Sequence, residues 1–243
     1  MITLAIIQAR MGSNRLLGKV LMDLGGQTVL ARVVRRLERS QQIGKLVVAM
    51  TSAPADDEIV DECKRLQVSS FRGSEDDVLD RYCQAARSYP ADAVVRITAD
   101  CPLIDPTLVD ETIRVLRDDH ADYASNVFPR TYPRGLDAEV FTSAALEHAW
   151  REARESYERE HVTPYFYEHP QTFRLASISG DVDHSHYRWT LDTPGDLELL
   201  RAIYSRFDNR DDFQWQDVIR LMEREPELAE LNSHILQKSL REH

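Results

Sequence analysis

The hydrophobic and polar positions of the first half of the chain alternate between a strand pattern and a helix pattern. Residues 2–9 form a short, almost unbroken apolar run that ends in a polar loop, which predicts a buried strand of a parallel sheet. A helix is then predicted to begin near Thr28, a suitable N-cap residue, with one apolar face and one basic face. The apolar face contains Leu30, Val33, Val34 and Leu37, and the basic face, which we expect to be solvated, contains Arg32, Arg35, Arg36 and Arg39.

This alternation continues to about residue 120. Asp105 and Pro106 have the chemistry of an N-cap and a first helical turn, and they predict a helix after the third long strand. Sustained strand–helix alternation indicates an α/β fold with a Rossmann-like, doubly wound and mostly parallel sheet. The other predicted elements are strands at 46–50, 68–71 and 93–98 and helices at 56–66 and 76–89.

Beyond residue 122 the alternation weakens. A stretch rich in Pro, Arg and Gly at 129–135 precedes an apolar segment at 138–141, and we interpret it as a loop of an inserted region. We expect a single domain over residues 1–243, with an inserted region at about 126–170 and a helical tail from about 208. Helices are predicted at 143–154, from about 158, from 193–194 and around Trp215, Val218, Ile219 and Met222, with a strand at 173–178.

Composition narrows the class of partner. The chain has 30 Lys and Arg residues against 41 Asp and Glu residues, and the net charge of −11 disfavours nucleic acid. Cys63, Cys83 and Cys101 are isolated, which indicates neither a disulfide framework nor a zinc knuckle and suits a reducing cytoplasm. No signal peptide is recognisable, and no apolar run approaches the roughly 20 residues of a membrane span. We therefore expect a cytoplasmic protein that binds neither nucleic acid nor membrane.

The loop after the first strand, residues 8–19 (QARMGSNRLLGK), has the composition of a phosphate-binding site. Ligands of open α/β sheets bind outside the carboxyl ends of strands, where this loop begins. Its three cations, two glycines and serine could surround a triphosphate with charge-assisted hydrogen bonds. A P-loop is excluded, because five residues separate Gly12 from Gly18 and Val20 follows Lys19. The alternative is a solvated loop whose cations only increase solubility.

This loop resembles the nucleotide-binding signature of the cytidylyltransferases that activate 3-deoxy-manno-octulosonate and sialic acids, and is most similar to the spore coat polysaccharide branch. The resemblance implies a nucleotide-diphospho-sugar transferase fold, with CTP and Mg²⁺ as co-substrates. It also implies transfer of CMP to an acidic sugar, release of pyrophosphate and a homodimer, with the inserted region at about 126–170 serving the acceptor and the dimer contact. Five further segments resemble that branch in the same order: RGSEDDVLDRY (72–82), RITADCPLID (96–105), PRGLDAEV (133–140), EHVTP (160–164) and WTLDTPGDL (189–197).

The predicted metal site consists of two aspartates. Asp100 follows the predicted strand 93–98, so its carboxylate should project at the carboxyl edge of the sheet near the first loop. Mg²⁺ favours one or two protein carboxylates together with phosphate and water oxygens. Asp192 joins Asp100 because it matches the aspartate of the family's LDTP-like segment. The alternatives are a helix cap or loop acid for Asp100 and a turn residue for Asp192, whereas Asp105 and Asp196 are interpreted as capping residues.

The resemblance also implies roles for other residues. Arg15 and Lys19, with Asp100, would carry the catalysis by neutralising charge and positioning the reactants. Glu160 and His161 could instead satisfy only local helix-end groups. The nucleotide-binding positions are Ala9, Arg10, Gly12, Ser13, Arg15, Lys19, Arg72, Ser74, Arg96 and Thr98, and the acceptor-binding positions are Arg134, Asp137, Glu139, Glu160, His161 and Thr163.

The matching segments do not identify the acceptor. The octulosonate and sialate enzymes have other residues in the second half of the first loop and where this chain has Thr98, Ala99 and Asp100. Two alternatives accompany the acidic sugar: a phosphate or phosphonate acceptor, and a nucleotide-binding regulator that does not catalyse turnover. A nucleic-acid module built on the arginines of the first helix is disfavoured by the net charge of −11.

Overall fold

A computed structural model describes residues 1–13 and 15–237, and within them one seven-stranded sheet forms the centre of the fold. The strand order is β3-β2-β1-β4-β6-β5-β7, and β6 runs antiparallel to both of its neighbours while the other pairs are parallel. This confirms the predicted α/β fold with a mostly parallel sheet. The strands are β1 (Thr3–Gln8), β2 (Lys45–Thr51), β3 (Ser69–Gly73), β4 (Ala93–Thr98), β5 (Tyr123–Ser125), β6 (Glu139–Thr142) and β7 (Leu175–Ser177).

Helices begin where the sequence places capping residues. Thr28 accepts a hydrogen bond from the backbone N–H of Ala31, and Asp105 accepts one from that of Thr107, as the capping prediction requires. Short 3₁₀ helices occupy Lys19–Leu21 and Pro54–Asp56. The α-helices of the described residues are α1 (Val29–Leu37), α2 (Asp57–Leu66), α3 (Val78–Ser88), α4 (Pro106–Asp118), α5 (Ser143–Glu152), α6 (Ser156–His161), α7 (Pro164–Glu168), α8 (Pro194–Arg206), α9 (Trp215–Arg224) and α10 (Glu227–Glu230).

Helices cover both faces of the sheet, because alternate residues of each strand point to opposite sides. In β1, Ala5 and Ile7 belong to the apolar cluster that contains Leu30 of α1. Ile6 belongs to the opposite cluster, which contains Tyr82 of α3. A third apolar cluster joins α8 and α9 to the segment that precedes Asp192. Burial of each large apolar side chain contributes about 1.5–3 kcal/mol, so the three clusters fix the ends of the strands firmly in place.

The prediction of a solvated basic face on α1 is wrong for two of its four arginines. Arg32 and Arg36 are only 2% and 0% exposed. Arg32 donates hydrogen bonds to Asn209 O and Asp211 Oδ2, at 2.7 and 2.9 Å. Arg36 donates to backbone oxygens of Ile104, Asp211 and Phe213. The segment before α9 covers this face of α1, and its carbonyl groups take the place of water, whereas Arg35 and Arg39 are exposed.

Residues 126–170 supply an element of the central sheet as well as three helices. Strand β6 pairs with β4 and β5, with Val140 opposite Val95 and Ala124. The division of this region from the rest of the domain stays a prediction. Residues 238–243 of the predicted tail, and Asn14 of the first loop, lie outside the described residues. Among the described residues no helix has the length and apolar character needed to cross a bilayer.

Candidate active site

The carboxyl ends of β1 and β4 bring the first loop against Asp100 and Asp192. Gly18 adopts a left-handed conformation (φ 66°), and the chain turns there into the short helix that contains Lys19. The ammonium of Lys19 donates hydrogen bonds to Asp100 Oδ2 at 2.5 Å, Asp192 Oδ1 at 2.8 Å and Leu191 O at 2.7 Å. Arg15 lies 2.7 Å from Asp192 Oδ1. The structure therefore joins Arg15 and Lys19 of the predicted triphosphate site to both predicted metal ligands, whereas Arg10 and Ser13, the other two residues predicted for the triphosphate, are not part of this cluster.

Opposite charges balance one another within this cluster. Asp192 Oδ2 accepts a hydrogen bond from Arg188 at 2.5 Å, and Arg188 also contacts Asp196 at 3.0 Å. Burial opposes ionisation of Asp192, but Lys19, Arg15 and Arg188 hold its pKa below the ordinary value. Burial likewise opposes the charge of Lys19, and the two aspartates reverse this effect and raise the pKa of Lys19. Both groups are therefore ionised near neutral pH.

Asp196 has the capping role predicted for it and an additional one. Its carboxylate accepts the backbone N–H of Thr193 at 2.9 Å while the Thr193 hydroxyl accepts that of Asp196, which forms a capping box at the start of α8. The same carboxylate orients Arg188 towards Asp192. The cap of α8 and the charged cluster are therefore parts of one hydrogen-bond network.

Asp100 meets the requirements of a Mg²⁺ ligand better than Asp192 does. The Asp100 side chain is 22% exposed, and among residues 1–13 and 15–237 its Oδ1 has one hydrogen-bond partner, the weakly polar thiol of Cys101 at 3.6 Å. Both oxygens of Asp192 are bonded to cationic side chains. No group of three or more His, Cys, Asp or Glu side chains in the described residues could enclose a metal. The pair suits a cation that takes most of its ligands from phosphate and water oxygens.

A cavity of about 780 Å³ opens beside this cluster. Gly135 lets the loop at 129–135 approach the segment before Asp192. The φ of Gly135 is 101°, and a Cβ atom there would lie 2.6 Å from the backbone of Trp189. The lining includes most of the residues predicted for the acceptor. These are Arg134, Asp137, Glu139, His161 and Thr163, which lie in one cavity with Arg15, Thr98, Asp100 and Asp192.

Within this cavity Arg134 is the cation without a carboxylate partner in the described chain. Arg130 forms two hydrogen bonds with Asp137, at 2.6 and 2.7 Å. Arg96 pairs with Glu139 at 2.6 Å. No ion pair of Arg134 occurs among residues 1–13 and 15–237, and burial together with the charge of Arg130 lowers its pKa. Asp137 and Glu139 thus neutralise other arginines, and Arg134 remains available to an anionic ligand.

A second cavity of about 310 Å³ adjoins the first, and both are lined by Arg96 and His161. It lies where β1, β4 and the start of α3 meet, next to the first loop. The predicted residues Arg10, Arg96, Glu160 and His161 are part of its wall. The complete lining is Gln8, Arg10, Glu75, Asp76, Val78, Arg81, Arg96, Glu160 and His161.

Arg72 is one of the predicted nucleotide-binding residues that line neither cavity. Its guanidinium pairs with Asp57 at 2.5 Å and donates to the backbone oxygens of Thr51 and Ala53, so it is held outside both cavities. Ser74 accepts the backbone N–H of Asp77 ahead of α3. Ala9, Gly12 and Ser13 lie in the first loop but do not line either cavity.

Sequence reasoning missed several polar residues of the site. Arg130 belongs to the same Pro-, Arg- and Gly-rich stretch as Arg134, and Arg81 lies inside the matching segment 72–82. Arg188 immediately precedes the segment 189–197, and Gln8 opens the first loop. Each was therefore adjacent to a recognised signal. The carboxylate and backbone oxygens that the three guanidinium groups of Arg81, Arg130 and Arg188 contact lie within eight positions of them, but only the folded chain shows which of these side chains face the site.

Comparison with known proteins agrees with this geometry. A family model described as "Cytidylyltransferase" matches residues 4–223. The chain is 35% identical over 233 residues to the spore coat polysaccharide biosynthesis protein SpsF of Bacillus subtilis, which covers 93% of this chain and 96% of that protein. A cytidylyltransferase structure from Leptospira borgpetersenii serovar Hardjo-bovis superposes with a TM-score of 0.91 at 35% identity, covering 98% of this chain and 100% of the other.

A more distant structure shares the fold alone. It is a CMP:2-keto-3-deoxy-manno-octonic acid synthetase complexed with CTP, and it superposes with a TM-score of 0.67 at 17% identity. The aligned region covers 85% of this chain and 100% of that one. The overall arrangement of strands and helices is therefore also found in a protein whose complex contains CTP.

Proposed function

The chain belongs to the cytidylyltransferase family, a family of CTP-dependent nucleotidyltransferases, and on this premise we propose that it transfers CMP to an acidic sugar. The observation that carries the proposal is the placement of Lys19, Asp100 and Asp192 beside a cavity that contains Arg134, a cation with no ion pair in the described parts of the chain. The triphosphate would lie over the first loop, and the acceptor would occupy the larger cavity. The product would be a CMP-activated sugar together with pyrophosphate.

The reaction forms a bond between an acceptor oxygen and the α-phosphorus of CTP and breaks the bond from that phosphorus to the pyrophosphate oxygen. Negative charge on the phosphates is neutralised by Lys19 and Arg15, which already meet at Asp192. If the nucleophile is a hydroxyl, its proton passes to Asp100 or to water. The cavity walls would hold the acceptor in line with the departing pyrophosphate, which lowers the entropic part of the barrier.

We propose Mg²⁺ as the metal of this site, with Asp100 as its first protein ligand. When bound, the ion would neutralise phosphate charge as a Lewis acid. Asp192 would join it after Arg15 or Lys19 moves from the aspartate to the triphosphate, because both of its oxygens are otherwise occupied. Arg188, held by Asp196, would keep Asp192 oriented during that exchange.

The charge of the larger cavity favours a carboxylate over a phosphate group on the acceptor. Asp137 and Glu139 neutralise Arg130 and Arg96, which leaves Arg134 as the available cation among the described lining residues. One guanidinium matches the single charge of a carboxylate and can bind both of its oxygens. A phosphate or phosphonate group carries up to two charges and would need a second free cation.

The names of two similar proteins support an acidic sugar as the acceptor and a role in polysaccharide synthesis. SpsF is named for spore coat polysaccharide synthesis, and the more distant synthetase is named for CMP transfer to an eight-carbon acidic sugar. We therefore propose a role in the synthesis of a surface polysaccharide or glycan precursor. We also propose the homodimer that the family resemblance implies and the cytoplasmic location that the isolated cysteines suit.

The test is a thermal-shift screen with CTP, UTP, ATP and GTP in the presence of Mg²⁺, followed by pyrophosphate release from the preferred nucleotide. Acceptors are offered as matched sets: an acidic sugar, its carboxamide and a sugar phosphate. Pyrophosphate release from CTP with the acidic sugar alone supports the proposal. Release with the sugar phosphate alone would establish the alternative acceptor, and CTP binding without turnover across all acceptors would indicate a regulator.

A further inference from the structure

Three side chains that line the smaller cavity each have a buried polar atom with no hydrogen-bond partner among the described residues. These atoms are Oε1 of Gln8, Nε of Arg81 and Nε of Arg96. Buried polar groups are almost always hydrogen-bonded in folded proteins, so three such atoms around one cavity indicate a ligand that satisfies them. One of the three is an acceptor and two are donors.

The fold directs these three side chains to one place. Ile6 of β1 lies opposite Arg96 of β4, and Gln8 follows Ile6 by two residues, so Gln8 and Arg96 project from the same face of the sheet. Arg81 comes from α3, which packs on this face through Leu79 and Tyr82. The cavity is therefore enclosed by two strand side chains and one helix side chain.

The orientation of each arginine is fixed by another part of its guanidinium. Nη1 of Arg96 donates to Glu139 Oε2 at 2.6 Å, and Nη1 of Arg81 donates to the backbone oxygen of Ser74 at 2.5 Å. Arg81 is only 1% exposed, so its guanidinium cannot turn to water instead. The two Nε–H groups are thus preorganised donors.

We propose that Gln8, Arg81 and Arg96 recognise the base of the nucleotide and select cytosine over uracil. This inference rests on the proposed function, since it concerns the nucleotide of the same reaction. The hydrogen-bonding edge of cytosine presents one donor, the N4 amino group, and two acceptors, N3 and O2. The three unpartnered atoms form the complementary set of one acceptor and two donors.

The two arginines supply the selectivity. Uracil carries a hydrogen on N3, which is a donor, and arginine has no acceptor atom with which to meet it. The amide of Gln8 can rotate to face either the N4 amino group of cytosine or the O4 oxygen of uracil, so by itself it discriminates poorly. A site whose buried polar groups are left unpaired by the wrong ligand rejects that ligand strongly.

The experiment measures the dissociation constants of CTP and UTP by calorimetry for the full chain and three variants. Arg81→Lys keeps the charge but loses the fixed Nε–H, and it should lower the preference for CTP by about tenfold or more. Gln8→Glu should raise the preference, because a carboxylate accepts from the N4 amino group and repels O4. Comparison of the two nucleotides cancels the general effect of the added charge on the triphosphate.

Arg87→Lys is the matched control, since Arg87 lies on the same helix but is exposed and pairs with Glu147. It should leave the CTP preference unchanged. The proposal is overturned if Arg81→Lys and Gln8→Glu both keep the wild-type preference. Should Arg81→Lys fail to fold, the Gln8→Glu result decides alone. Failure of the proposed function is distinct, since wild-type protein would then prefer CTP yet release no pyrophosphate with any acidic sugar.

Discussion

The ammonium of Lys19 donates a hydrogen bond to the carboxylate of Asp100 at 2.5 Å, although 81 positions separate the two residues in the chain. One residue of this pair is suited to phosphate and the other to a divalent cation. In the structure they neutralise each other, so neither charge is left unpaired within the partly buried site. A bound triphosphate would take the place of the Asp100 carboxylate beside Lys19, and its metal ion would take the place of the Lys19 ammonium beside Asp100.

The Lys19→Met variant should lose pyrophosphate release, because its side chain fills similar space but carries no charge for the triphosphate. We also expect a loss of about 1–3 kcal/mol in the free energy of unfolding, since Asp100 and Asp192 lose a buried partner. Pyrophosphate release and urea denaturation measure the two effects. Lys64→Met is the control, because Lys64 and Asp61 form a surface pair with 72% and 75% of their side chains exposed. Wild-type turnover by Lys19→Met would refute the role of the ammonium.

Asp100→Asn should lower pyrophosphate release by at least about 100-fold, in line with the loss of one preorganised electrostatic group. The amide keeps the shape of the side chain but removes the anionic ligand that we assign to Mg²⁺. Calorimetry of CTP with and without Mg²⁺ separates the causes, since the variant should lose the part of the affinity that depends on Mg²⁺. Asp118→Asn, at an exposed position paired with Arg117, should keep both properties. An unchanged Mg²⁺ dependence in Asp100→Asn would exclude Asp100 as a ligand.

Arg134→Met should raise the KM for the acidic acceptor by about 10- to 100-fold, the range expected for one charge-assisted hydrogen-bonding pair. The KM for CTP should change little, because Arg134 lines only the larger cavity. Steady-state kinetics with each substrate varied in turn provides the measurement. Arg210→Met is the control, as Arg210 is 65% exposed and pairs with Asp212. A rise in the KM for CTP alone would place Arg134 at the nucleotide instead.

The sequence predicted the fold best where apolar runs are long. Strand β4 has the bounds expected from its run at 93–98, and β1 and β2 differ from expectation by about one residue at each end. Strand β5 (Tyr123–Ser125) was missed because three residues are too few to display an alternating pattern. The burial of Arg32 and Arg36 was also unpredictable, since helix periodicity identifies a face but not the distant segment that covers it.

In the candidate site, too, local sequence placed some residues correctly, whereas contacts between distant residues could not be predicted from it. Asp100 could be placed at the edge of the sheet because it follows a strand, whereas Asp192 was assigned through the family resemblance. Asp192 lies 173 positions from Lys19, and no spacing rule joins residues so far apart. Arg72 was assigned by family position, but Asp57 and two carbonyl groups hold it elsewhere. Pairings of this kind depend on tertiary packing rather than on local sequence.

Arg36→Met should destabilise the protein by about 3–5 kcal/mol, because the variant leaves three backbone oxygens without their donor in a buried place. The guanidinium also lies 4.4 Å from the ring centre of Phe213, a contact that would be lost. Urea denaturation measures the change. Arg35→Met, one position earlier and exposed, should change stability by less than about 0.5 kcal/mol. Equal effects of the two substitutions would mean that the segment before α9 does not cover α1 in solution.

The stability of the protein should depend on pH through Asp192 on the acid side and Lys19 on the alkaline side. The folded pKa of Asp192 lies below its ordinary value of 3.8, so its contribution is fully present above that value and is lost as the pH falls through the folded pKa. The folded pKa of Lys19 is above 10.5, so its contribution is lost only as the pH rises through that higher value. We therefore expect Asp192→Asn to reduce the free energy of unfolding at about pH 7 and to differ less from wild type at about pH 3. Urea denaturation at both values measures this, and a difference that grows in acid would contradict the ion-pair assignment.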